Sequence, residues 1–231
     1  MGILFGPAGL GPVKEAIENL EEIQRVGLRA CEIAFTYSVY IKNERDAKII
    51  GDKARELGIS LSIHAPYFVN LNSDDPLKIE ATKKRILDCC EVGEKLGART
   101  VVFHPGYYGE DKNKAYENIK KGINEIMDII RRNNWKITIS PETMGKINVF
   151  GSIDEISRLA NETGCGFCID FAHILARDKI VDYKKIEGLF PQKKWHVHFS
   201  GIEYGEKGEK NHIITPEIAW RELLKNLPRD K

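Results

Sequence analysis

Residues 98–106 read ARTVVFHPG. The β-branched run Thr100, Val101 and Val102 follows Gly97, a residue suited to closing a helix, and it stops at His104 just before a Pro-Gly turn. The same pattern recurs on both sides. Short apolar runs lie at 3–8 (ILFGPA), 30–35 (ACEIAF), 59–65 (ISLSIHA), 136–142 (KITISPE), 166–171 (GFCIDF) and 194–200 (KWHVHFS). Between them, apolar residues recur at helical spacing, and Gly27, Gly58 and Gly164 stand just ahead of the next run. Ser152 with Glu155 three residues on has the form of a capping box, while Pro12 and Pro216 suit first-turn positions. Strand and helix in alternation imply βαβ units around a parallel sheet. Rounds of roughly 30 residues each predict a TIM-type (β/α) barrel. One domain over 1–231 is expected, with seven βα units visible and the eighth strand missing: after a helix at about 216–227 the chain stops at Pro228-Arg229-Asp230-Lys231.

Composition narrows the field less. The 231 residues are 42% hydrophobic, and no stretch approaches the roughly 18 uninterrupted apolar residues of a membrane span. The start MGILFGPAGL lacks the basic, apolar and small-residue order of an export signal, so a cytoplasmic location and no membrane partner are expected. Five cysteines, an odd count lying in apolar segments, are expected to be reduced. Cys165 and Cys168 are spaced like half of a zinc site, but no second pair exists and strand alternation would send them to opposite faces. A net charge of +1 neither requires nor excludes nucleic acid.

The histidines carry the chemistry. His64, His104, His173, His196, His198 and His212 all lie at or just beyond strand ends or in the loop after the last run. In a parallel barrel those ends meet at one face. Glu142 and Asp170 end the runs at 136–142 and 166–171. Imidazoles and carboxylates converging there form a nitrogen and oxygen ligand set suited to zinc, manganese or iron. His196 and His198 are two apart and face the same way; the deeper His196 is expected in the core or behind the ligands. Any one of these histidines could equally be a hydrogen-bonded strand-end residue. Several strand ends together, with carboxylates that are costly to bury alone, favour a metal centre.

Taken in order, HAPY, FHPG, ETMG, CIDFAH, HFSG and the later Asn211-His212 pair resemble endonuclease IV, the apurinic/apyrimidinic endonuclease family of the xylose-isomerase-like barrels. The resemblance implies a trinuclear zinc site. His64 and His104 would hold one ion, and Glu142 would bridge it to a second held also by Asp170 and His198. His173 and His212 would hold the third. Tyr67 would match an aromatic that reaches into DNA around the damaged nucleotide, although a tyrosine there is by itself more often packing. Two departures stand out. Lys210 occupies the position of the family's third-ion aspartate, with Glu209 the nearest carboxylate, and the family's strand-eight glutamate goes with the missing strand.

Metal-dependent hydrolysis of a phosphodiester at abasic sites in double-stranded DNA is therefore the expected activity, with Glu142 catalytic, up to three zinc ions, manganese as the alternative metal, and no side-chain nucleophile. Lys146, Lys207 and Lys210 could face flanking phosphates. A sugar isomerase or epimerase of the same superfamily, using Glu142, Asp170 and His198, is the alternative, and binding without turnover a third possibility.

Overall fold

A computed structural model describes residues 2–228; Arg229, Asp230 and Lys231, where the sequence reads as stopping short of a further strand, lie outside the described residues. Strands β1 (Ala30–Ala34), β2 (Ser60–His64), β3 (Thr100–Phe103) and β4 (Thr138–Pro141) pair in parallel in chain order. A parallel bridge between Glu142 and Cys168 carries this wall to β5 (Cys168–Asp170), which pairs in parallel with β6 (His196–His198). Helices α1 (Ala16–Arg25), α2 (Glu44–Glu56), α3 (Pro76–Leu96), α4 (Lys112–Arg132), α5 (Ile153–Thr163), α6 (Phe171–Asp178), α7 (Tyr183–Leu189) and α8 (Glu217–Asn226) complete the helical set. Parallel strands covered in this way read as nearly continuous apolar runs, which is why the sequence marks them.

Helix α4 shows how the covering layer is built. Ala115, Tyr116, Ile119, Gly122, Ile123, Ile126 and Ile130 recur every three or four residues and are all buried, one stripe facing the wall. Asp111 accepts bonds from the amides of Asn113 and Lys114, satisfying donors the first turn leaves open. Ser152 and Glu155 form the expected capping box at α5. No helix among the described residues is long and apolar enough to cross a membrane.

The expected seven units with a missing eighth strand are overturned: the described residues contain eight strands and eight α-helices. Two features of the chain mislead that count. The stretch after β6 reads as loop, yet Gly201–Gly205 (β7) and Gly208–Ile213 (β8) form an antiparallel hairpin. β8 is polar over Glu209–His212 and β7 offers only Ile202 and Tyr204 as an alternating pair, too short a pattern to mark a strand. Residues 3–8, which read as the first strand, instead run beside β1 with a single bridge, Ala8 to Glu32. Pro7 has no amide to give a ladder, and Gly6 lies so close that a Cβ there would sit 1.7 Å from the Ala30 carbonyl oxygen.

Candidate metal centre

Glu142 follows β4 directly and is 1% exposed, and among the described residues no lysine or arginine pairs with it. Four imidazoles surround it instead, His173 with its Nδ1 3.8 Å from Oε1 and three others closer. Its Oε2 lies 3.2 Å from His64 Nε2, at the end of β2, and 3.1 Å from His104 Nε2, just past β3. Its Oε1 lies 2.8 Å from His198 Nδ1, at the end of β6. The parallel wall is what brings these residues together: its C-terminal ends share one face.

Asp170 ends β5 and does a second job as N-cap of α6, accepting the amide of His173 at 2.8 Å. The sequence places His173 just beyond a strand end; that cap puts it in the first turn of a helix, buried, with Nδ1 2.8 Å from the Thr143 carbonyl. The hairpin closes over this corner. His212 Nε2 comes to 3.3 Å of His173 Nε2, and Glu209 reaches 3.7 Å from His173 and 3.6 Å from His212. Glu209, three residues before His212, would point away from it in a regular ladder. A bulge decides the matter: Glu203 pairs with Asn211 and Tyr204 with Glu209, leaving Lys210 extra and returning Glu209 to the face of His212. Gly145 makes room, since a Cβ there would lie 2.8 Å from Glu209 Cβ and 3.1 Å from His173 Cδ2.

Three groups of ligand atoms thus lie within coordinating range: His64, His104 and Glu142; Glu142, Asp170 and His198; and His173, Glu209 and His212. All seven residues expected to bind metal fall into them. Glu209 adds a carboxylate that the sequence indicates only as the nearest one, because the bulge depends on pairing across the hairpin. Glu32 is absent from the sequence-based set altogether. It sits on β1 with Oε2 2.9 Å from His196 Nε2 and Oε1 2.9 Å from His198 Nε2, the second contact lying off the line of a hydrogen bond. Its one signal is a charge inside the apolar run ACEIAF. All five cysteines are free and buried, and Cys168 joins His196 and His198 in a further group beneath the centre. Tyr67, half exposed, lays its ring 5.2 Å from those of both His64 and His104.

The donor chemistry fits divalent cations. His64 gives its Nδ1 to the Ala65 carbonyl at 2.8 Å, His173 gives its own to Thr143, and His212 Nδ1 lies 2.6 Å from Ser200 Oγ. Each ring is thereby held with Nε2 turned to a carboxylate, the arrangement found around metal-binding histidines. Burial works to raise the Glu142 carboxyl, but the imidazoles, His198 foremost, outweigh it and hold the group well below 4.5. Burial lowers His198, yet Cys168 and Glu142 more than reverse that, leaving it well above 6.5. Burial alone dominates at His104 and lowers it. A cavity of about 1510 Å³ connects these residues with the barrel interior.

A parallel-stranded (β/α) wall with histidines and carboxylates gathered at its C-terminal ends defines the class, a barrel whose strand ends carry clusters able to coordinate a metal ion. Residues 20–228 match the model of the family described as xylose isomerase-like TIM barrel. The chain is 35% identical to an uncharacterized protein of Methanocaldococcus jannaschii, over 97% of this chain and 87% of that one. It is 32% identical to the probable endonuclease 4 of Acholeplasma laidlawii, over 76% of this chain and 68% of the relative. Against the probable endonuclease 4 of Mycoplasma genitalium it spans 61% of that protein's length. The endonuclease IV of Thermus thermophilus superposes with a TM-score of 0.68 at 20% identity, covering 92% of this chain and 81% of that structure. The chain belongs to the endonuclease IV family within the xylose isomerase-like TIM barrels.

Proposed function

We propose that the protein is a metal-dependent phosphodiesterase that cleaves double-stranded DNA at abasic sites. The observation that carries this reading is that two of the ligand groups share Glu142 and the third adjoins them through His173. Several ions side by side suit phosphoryl chemistry, where they can flank both the attacking and the leaving oxygen. His64, His104 and Glu142 would hold one ion, Glu142, Asp170 and His198 a second, and His173, Glu209 and His212 a third. Zinc matches this nitrogen and oxygen set, and manganese is the second choice. Bound there, the ions supply Lewis-acid stabilisation of the attacking and leaving oxygens of an in-line displacement and acidify water.

The chain's own residues do the rest. Glu142 keeps two ligand groups in one frame, and the anchored rings of His64, His173 and His212 fix where the lone pairs point. The rim suits a polymer. Tyr37 and Phe68, 76% and 60% exposed, stack with centroids 6.0 Å apart, and Tyr67 is 50% exposed beside the centre. Exposed aromatic faces are where bases stack. Lys146, Lys207 and Lys210 are exposed as well, placed to meet flanking phosphates.

The test is a zinc- or manganese-loaded protein offered three substrates: a duplex with one abasic site, the same duplex intact, and a panel of ketoses. Cleavage confined to the abasic strand is expected. Ketose conversion without strand cleavage would replace this reading with the isomerase.

A further inference from the structure

Three site histidines have the nitrogen not facing the ligand groups anchored by a neutral oxygen: Ala65 O for His64, Thr143 O for His173 and Ser200 Oγ for His212. His198 differs. Its two nitrogens face two carboxylates from opposite sides, Nδ1 at 2.8 Å from Glu142 and Nε2 at 2.9 Å from Glu32. Nδ1 is the nitrogen on the side of the ligand groups, since Glu142 belongs with Asp170 and His198. Nε2 is turned to Glu32 on β1.

Glu32 is itself held from two further directions. Ser62 Oγ donates to its Oε2 at 3.2 Å, and His196 Nε2 lies 2.9 Å from the same oxygen. A carboxylate buried in the middle of a parallel strand is costly unless its partners satisfy it. Here β2 and β6 both contribute side chains to it, so the carboxylate is aimed rather than merely tolerated. A metal-binding imidazole commonly donates its other N–H to such a carboxylate, which fixes the tautomer and makes the ligating nitrogen more basic.

We propose that Glu32 is a positioning residue of the metal centre: its carboxylate, 2.9 Å from His198 Nε2 though off the line of that N–H, keeps the ring proton on Nε2 by its charge and so presents the His198 Nδ1 lone pair to a divalent cation held with Glu142 and Asp170. This rests on the metal-centre reading above. His196 and Ser62 hold the Glu32 carboxylate in that orientation. The competing role is purely structural, a buried charge balanced by His196 in the barrel interior; removing the charge would then leave metal binding untouched once the protein has folded.

The experiment titrates zinc into chelator-stripped wild-type and Glu32→Gln proteins against a chromophoric competitor. It also reads the histidine ring nitrogens of the zinc-loaded proteins by long-range proton–nitrogen NMR. In the wild type, His198 should be protonated at Nε2 and metal-bound at Nδ1. Glu32→Gln should bind its weakest ion about 10- to 100-fold less tightly, with the His198 ring signals shifted and those of His64 unchanged. Equal affinity in the two folded proteins, or His198 bound through Nε2 in the wild type, overturns the proposal. Should Glu32→Gln not fold, Ser62→Ala takes its place: a several-fold loss of affinity supports the role, and unchanged affinity overturns it. A wild type that binds no zinc would instead remove the metal centre itself.

Discussion

Glu142 touches His64, His104 and His198 at 3.2, 3.1 and 2.8 Å, so a change there reaches two ligand groups at once. Glu142→Gln keeps the shape and loses the charge. Losing one outer-shell partner of a metal ligand costs about 10- to 100-fold, and loss of a shared ligand should exceed that, with strand cleavage and metal content falling together; a fully active variant with normal metal content would remove Glu142 from the centre. Glu209→Gln should act more narrowly, lowering the saturating metal content by one ion while the Glu142 groups still fill, as elemental analysis of the dialysed protein can show. These residues are unequally visible in the sequence. His64, His104, Glu142, Asp170 and His198 end β-branched runs, and periodicity alone puts strand ends on one face. Glu32 sits inside such a run and its partner His196 is 164 positions away, a distance no local pattern spans.

At the scale of elements, the hairpin β7–β8 delivers Glu209 and His212, and the bulge at Lys210 sets which of its residues face the centre. Deleting Lys210 would turn the bulge into a regular ladder in which Glu209 stands two residues before His212, still on its face. The deletion should therefore keep full metal content where Glu209→Gln does not; loss of an ion on deletion would mean that the bulge does more than set register. The sequence hides this hairpin because β8 is polar over Glu209–His212 and Ile202 with Tyr204 is too short a pattern to mark β7, and it hides that residues 3–8 form only one bridge with β1 because an apolar run says nothing about the close backbone approach at Gly6. The helices are plainer. In α4 Ile119 is fully buried, so Ile119→Ala should cost about 2–5 kcal/mol in urea unfolding with little change in the zinc affinity of the folded protein.

For the whole molecule, the centre makes stability depend on both metal and pH. With metal stripped, the lowered Glu142 contributes stability that is complete above its ordinary 4.5 and is lost as pH falls through its folded value. The raised His198 contributes stability that is complete below its ordinary 6.5 and is lost as pH rises through its folded value. Chelated protein should thus melt highest in the mildly acidic window between those two ordinary values. Zinc reverses the trend, because imidazoles bind it only when deprotonated. The rise in melting temperature on adding zinc should grow from about pH 5.5 to about 7.5, across the histidine range, and a zinc effect independent of pH would argue against histidine ligands. Zinc at 100 times its Kd should add about 2.7 kcal/mol. The most direct test of the central claim is the number of ions per chain, counted by native mass spectrometry of the zinc-saturated protein. Three ions are expected, one for each group built on Glu142, Asp170 and His173, and saturation at a single ion would contradict a multi-metal phosphodiesterase.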